Sequence, residues 1–88
     1  MPYVVYILYS GKDGKQYVGC TSNFQERFGR HQRGEVPATR NRLPLYIVHT
    51  EQFENKADAF SRERFLKSLW GARFKMKVKK EFLKQHKA

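Results

Sequence analysis

A hairpin written into residues 4–20 constrains this 88-residue chain more than any other stretch. Val4-Val5-Tyr6-Ile7-Leu8-Tyr9 is β-branched and aromatic, the make-up of a strand buried on both faces. Ser10-Gly11-Lys12-Asp13-Gly14-Lys15 follows with turn chemistry, since Gly accepts positive φ and Asp can close an Asx-turn. Gln16-Tyr17-Val18-Gly19-Cys20 then returns as the partner strand. A four-residue loop over 11–14 sets Ser10 against Lys15 and Tyr17 opposite Leu8. Side chains alternate with period two, so Tyr6, Leu8 and Tyr17 share one face. Two phenols then stand side by side.

The pattern downstream predicts a third strand and three helices. Thr21-Ser22-Asn23 is a cluster of N-cap residues, with Gln25 and Glu26 placed to complete a capping box. The helix after it should run to about Gln32 and stop near Gly34. Phe24 and Phe28 mark its buried stripe; Arg27 and His31, also four apart, lie on a neighbouring one. Residues 33–44 form a loop long enough to suspect a role beyond connection, and Arg33, Arg40 and Arg42 sit in it against Glu35. Residues 45–53 read as a strand. Asn55, with Asp58 three positions on, caps a second helix whose apolar face is expected to carry Ala59, Leu66, Leu69 and Trp70. At about 100° per residue, Glu63 falls roughly 20° from Trp70 and roughly 40° from Ala59. A carboxylate on the apolar side is an anomaly, because burying an unpartnered charge is costly. Gly71 should end that helix. A third, lysine-rich helix at about 72–86 then carries Phe74, Val78 and Phe82 at four-residue spacing. Its other faces hold Lys75, Lys77, Lys79, Lys80, Lys84 and Lys87 against Glu81. With no internal repeat or linker, 1–88 is expected to be one domain with one modest core.

A formal charge of +10 on so short a chain points to a polyanionic partner, most often nucleic acid. An anionic membrane surface or a protein partner for the lysine helix are the weaker alternatives. One cysteine, Cys20, excludes an intramolecular disulfide and a multi-cysteine zinc cage, and is expected to be a small buried apolar residue. The sequence contains no apolar run of about 18 residues and no signal-peptide pattern, so a cytoplasmic location is the expectation.

Four constellations can carry chemistry, and each has a plainer reading. Tyr6 and Tyr17 can act on a proton if a cation favours the phenolate or a neighbour takes the proton; otherwise they are packing residues. Arg27 and His31 can reach one anion together, or be two solvated side chains. Glu63 can hold a magnesium ion completed by waters and a phosphate, or pair with Lys67 one turn on. The arginine loop and lysine helix supply sequence-independent affinity for phosphates. Together these are the parts of metal-assisted phosphodiester hydrolysis.

Their order resembles the GIY-YIG nuclease superfamily, in particular its small stand-alone bacterial members. Val4-Val5-Tyr6 stands where the first motif has Gly-Ile-Tyr, and Tyr17-Val18-Gly19 matches Tyr-Ile-Gly. Asn23-Phe24-Gln25-Glu26-Arg27-Phe28, then His31 and Gly34, resembles the family's first helix. Thr39-Arg40 and Arg42-Leu43-Pro44 resemble the loop of the small members, and Ala59, Arg62-Glu63 and Leu66-Lys67 their glutamate helix. The resemblance spans residues 3 to about 70.

It implies an α+β fold with a three-stranded antiparallel sheet flanked by helices. It also implies endonucleolytic hydrolysis of DNA, with RNA not excluded, in a setting such as repair or recombination. One divalent metal, Mg²⁺ or Mn²⁺, would be held by Glu63, with no small-molecule cofactor. One tyrosine would activate the water, Tyr6 favoured over Tyr17, while Arg27 stabilises the phosphate charge and His31 assists. Arg40, Arg42, Lys67, Lys75, Lys79 and Lys80 are the expected nucleic-acid contacts. Two departures stand out: Val4 replaces the first motif's glycine, and the family's late asparagine has no evident counterpart. With no attached recognition domain expected after the third helix, cleavage should be structure-led or weakly specific. A non-catalytic nucleic-acid-binding domain of the same fold is the alternative.

Overall fold

The computed structural model describes residues 2–86. Lys87, expected among the cations of the last helix, lies outside them. The strand β1 (Tyr3–Ser10) is the middle of a three-stranded antiparallel sheet, flanked by β2 (Gln16–Thr21) and β3 (Leu45–Phe53) in the order β2-β1-β3. It takes the centre because it is apolar on both faces: Val5, Tyr6, Ile7 and Leu8 are all buried. The hairpin has the expected register, with Leu8 opposite Tyr17 and Tyr6 opposite Gly19. Ser10 N donates to Lys15 O at 2.9 Å, and Asp13 Oδ1 closes an Asx-turn by accepting from Lys15 N at 2.9 Å. Gly14 supplies the left-handed residue of the turn at φ 73°.

Period two along β1 divides the core. Val5, Ile7 and Val18 face one side and pack with Ala59 and Leu66 of α2 (Lys56–Lys67) and Val78 of α3 (Ala72–Gln85). Tyr6 and Leu8 face the other, where Tyr17, Leu43, Leu45 and the Phe24 and Phe28 rings of α1 (Phe24–Gln32) cover them. The sheet is thus the middle layer of three.

Both capping predictions have their physical basis in place. Asn23 Oδ1 accepts from Glu26 N at 3.3 Å at the start of α1, and Asn55 Oδ1 accepts from Asp58 N at 2.8 Å at the start of α2. The α1 helix ends in a Schellman arrangement on Gly34, at φ 76°: Gly34 N donates to His31 O and Glu35 N to Arg30 O. The loop after it folds back on the hairpin turn, where Ser10 Oγ donates to Arg42 O at 2.6 Å and Gly11 N to Pro44 O at 2.8 Å.

Three expectations need correction. The α2 helix stops at Lys67, and Leu69–Gly71 turn as a short 3₁₀ segment, so the helical period does not extend to Leu69 and Trp70. Both project into solvent instead of joining the core, at 92% and 83% exposed. Gly71 does not end the helix, which stops at Lys67 with Ser68 as its cap; it closes the 3₁₀ turn instead, packed so tightly that a Cβ there would overlap Phe65 O and Leu66 Cα. Cys20 is half-buried, since it lies near the end of the edge strand β2.

Candidate active site

Tyr6 projects from the middle strand onto the α1 side and is completely buried. Its ring lies against Phe24 (centroids 5.2 Å), His31 (5.7 Å) and Tyr17 (6.3 Å). Gly19, directly across the hairpin, is what lets the ring lie there, because a Cβ at that position would overlap Tyr6 Cζ and Oη. The two hairpin motifs are therefore one steric unit, the glycine of the second making room for the tyrosine of the first.

His31 is also fully buried, so the plainer reading of a solvated histidine does not describe it. Tyr6 Oη and His31 Nε2 are 3.0 Å apart, and His31 Nδ1 is 2.7 Å from Thr39 Oγ1. Both hydroxyls can donate or accept, so a neutral imidazole completes the chain Tyr6–His31–Thr39 in either direction. Burial, reinforced by the Arg27 and Arg30 charges, lowers the His31 pKa to about 4, which keeps that ring neutral at pH 7. Burial, then the neighbouring Tyr17, push the Tyr6 phenol well above its ordinary value; Arg27 opposes that shift and Glu63 adds to it.

Those last two charges arrive from different sides of the sheet. Arg27 is on α1, over the tyrosine face, whereas Glu63 is on α2, beneath the opposite face. Both act on Tyr6 and both act on Cys20, whose thiol is raised first by burial and then by Glu63, with Arg27 and Lys67 opposing. Tyr6, Tyr17 and His31 thus form one ring cluster, and Arg27 and Glu63 both lie near enough to act on Tyr6 and on Cys20. These groups lie across the edge strand, because α2 packs on the side of the sheet away from α1.

The Glu63 side chain is only 19% exposed, and Lys67 Nζ sits 3.1 Å from it. Among the described residues, no three His, Cys, Asp or Glu side chains form a metal cage. A single hard oxygen ligand is still the donor set that suits Mg²⁺ or Mn²⁺, which keep most of their waters and take up phosphate oxygens; it does not suit zinc.

The expected nucleic-acid contacts divide into two groups. Arg40 and Lys80 are exposed. Arg42 is tied to the hairpin, with Nε 3.1 Å from Asp13 Oδ2 and Nη2 donating to Gln16 O at 3.4 Å. Lys79 Nζ donates to Gly14 O at 2.7 Å and lies 5.6 Å from the Tyr9 ring centroid. Lys75 is half-buried, its carbonyl accepting from Gln16 Nε2 at 3.0 Å, and Lys67 is committed to Glu63. Thr39 had no chemical role in the sequence reading, where it entered only as part of the Thr39-Arg40 resemblance. A loop residue's partner depends on the path of the loop, which no periodicity records.

A family model described as the GIY-YIG catalytic domain matches residues 2–79. The chain belongs to the GIY-YIG family. That is a nuclease family, and the three-stranded antiparallel sheet with its flanking helices agrees with it. A UPF0213 protein of Natronomonas pharaonis is 44% identical over 66 residues, 74% of this chain and 76% of the relative. Another from Clostridium perfringens is 44% identical over 66 residues, covering 74% and 70%. In solution, the NMR structure of a UPF0213 protein from Bacillus halodurans superposes with a TM-score of 0.57 at 34% identity, over 89% of this chain and 83% of that one.

Proposed function

We propose that this GIY-YIG domain is a metal-dependent endonuclease that hydrolyses DNA phosphodiesters in a structure-led or weakly sequence-specific way. The observation that carries the reading is the buried Tyr6–His31–Thr39 chain, set between an arginine on one side of the sheet and a lone carboxylate on the other. A binding domain has no need of a phenol with a proton acceptor already 3.0 Å away.

Of the two phenols, Tyr6 is the one with an acceptor for its own proton. The proposed step requires the buried Tyr6 hydroxyl to be opened to the attacking water when substrate binds. Tyr6 Oη then takes a proton from that water while its own proton passes to His31 Nε2. The water oxygen bonds to phosphorus as the leaving P–O bond breaks, and the departing oxygen takes a proton from solvent. Because the two proton transfers are coupled, no free phenolate has to accumulate. Thr39 fixes the imidazole tautomer through Nδ1, and Tyr17, half-buried beside both rings, orients the water. Arg27 holds the phosphate, and its charge also favours ionisation of Tyr6. Glu63 would hold Mg²⁺ or Mn²⁺, which supplies positive charge to the phosphoryl oxygens and reverses the opposition of Glu63 to Tyr6 ionisation. Lys67 would then release Glu63 and turn to the nucleic acid.

The test is a cleavage screen over flapped, branched, single-stranded and duplex DNA, with and without Mg²⁺ and Mn²⁺. Wild type should nick at least one branched or single-stranded form only with metal, and Glu63→Gln should abolish it. Tyr6→Phe should lower kcat at least about 100-fold, more than Tyr17→Phe does. A larger loss in Tyr17→Phe would transfer the base role to that residue. Activity that survives Glu63→Gln would remove the single-metal mechanism. Binding with no cleavage under any metal would favour the non-catalytic domain.

A further inference from the structure

Trp70 is the chain's single tryptophan, and the fold holds it out in solvent at 83% exposed. The turn beneath it is firmly built. Ser68 N and Oγ donate to Phe65 O at 3.1 and 2.6 Å, and Gly71 N donates to Ser68 O at 3.1 Å. Gly71 itself lies so close on Phe65 and Leu66 that no Cβ fits. A large aromatic displayed from a fixed turn loses little freedom when a partner covers it.

Just upstream, Phe60, Glu63 and Lys67 follow at helical spacing on a stripe about 60° wide. Phe60 is 40% exposed, with Lys56 Nζ 5.3 Å from its ring centroid. Two exposed aromatics therefore bracket Glu63 along the chain. Between residues 59 and 80, Glu63 is the sole carboxylate among many lysines and arginines. The complement of such a surface is an anion that also offers flat apolar faces. Unpaired nucleic acid has a phosphate and an open base at every residue, whereas a duplex hides its base faces in the stack.

We infer that Trp70 and Phe60 are stacking platforms for unpaired nucleobases, and that the strand form taken along α2 past Glu63 is single-stranded. The inference rests on the nuclease reading for the substrate's chemistry and names its strand form. Its test does not depend on cleavage.

Because Trp70 is the single tryptophan, its fluorescence reports contact directly. The protein, without divalent metal and at low salt, is titrated with a single-stranded oligothymidine of about 15 nucleotides, within the span of known single-strand sites, and with a blunt duplex of equal length. The single strand should quench the emission strongly and the duplex little. By anisotropy of labelled DNA, Trp70→Ala should bind the single strand about 5- to 150-fold more weakly, the range set by loss of one stacked base. Its duplex affinity should stay within about twofold, and Trp70→Phe should restore most of the loss, because a smaller ring still stacks. Trp70 is exposed, so both variants should fold, which far-ultraviolet circular dichroism checks.

Equal quenching by duplex, or unchanged single-strand affinity in Trp70→Ala, would overturn the inference. So would an emission shift produced by phosphatidylserine vesicles, or by raising protein concentration, in place of the oligonucleotide. Quenching without cleavage under any metal would leave the inference standing and remove the nuclease reading; cleavage without quenching would do the reverse.

Discussion

His31 shows how one side chain can couple the candidate site to the stability of the fold. Its folded pKa of about 4 lies below the ordinary value of 6.5, so between those limits the unfolded chain binds the extra proton. Stability from this residue is therefore complete above about pH 6.5 and is lost as pH falls towards 4. Each pH unit is worth about 1.4 kcal/mol, so the loss is on the order of 3 kcal/mol. Urea unfolding of wild type and His31→Gln across pH 7 to 4 should show the wild-type slope and a flatter one in the variant; equal slopes would exclude the imidazole as the source. Gly19 makes a second residue-scale demand. In Gly19→Ala the new methyl meets the Tyr6 ring, which is itself held by Phe24, Tyr17 and His31 and has little room to move. The expected cost is about 1–3 kcal/mol by denaturant titration, accompanied by a displaced Tyr6 hydroxyl and a loss of activity larger than the loss of folded protein.

At the scale of elements, the junction between α2 and α3 decides where Glu63 and Trp70 are presented. Its critical residue is Gly71, whose missing side chain lets the turn lie on the last turn of α2. The atoms a Cβ would meet there are backbone, which cannot rotate away as a side chain can, so Gly71→Ala should cost about 3 kcal/mol and lower Tm far more than Gly29→Ala does. Gly29 is the matched control because its nearest neighbour is the movable end of Arg33. This junction is also where the sequence was least legible. The hairpin, the caps at Asn23 and Asn55 and the third strand were readable because each depends on neighbours in sequence: period, turn residues and a side chain three positions away. Leu69 and Trp70 were misplaced because helical period was carried past a break that Ser68 makes through one hydroxyl hydrogen bond to Phe65 O. For the candidate site, the sequence marked Tyr6, Tyr17 and His31, which the fold brings into contact, but not how they meet. Spacing placed Arg27 and His31 on one helix stripe but could not show that His31 turns inward to Tyr6, nor that Glu63 approaches from the opposite face of the sheet.

Across the whole molecule, the charge of +10 is not uniformly available to a ligand. Some cations hold the fold together: Lys79 ties α3 to the hairpin turn at Gly14, Arg42 ties the long loop to Asp13, and Arg62 grips Glu51 with hydrogen bonds of 2.9 and 3.0 Å. Others, such as Lys77 and Lys80 on the outer face of α3, are exposed and have no ion-pair partner among the described residues. Phosphate binding releases counterions in proportion to the charges engaged, so log Kobs falls linearly with log salt and each lost contact lowers the slope by about 1. Lys77→Ala and Lys80→Ala should each reduce the slope for DNA while leaving Tm within about 2 °C, as surface changes do. Lys79→Ala should behave in the opposite way. It removes a charged hydrogen bond worth roughly 1.5–3 kcal/mol, and about 4–8 °C of Tm accompanies each kcal/mol in a domain of this size. Salt titrations by fluorescence anisotropy, paired with thermal melts, separate the two groups. If Lys79→Ala flattened the salt slope as strongly as Lys80→Ala while leaving Tm unchanged, its bond to Gly14 would not be a structural tie, and the cationic surface would have to be redrawn with Lys79 inside it.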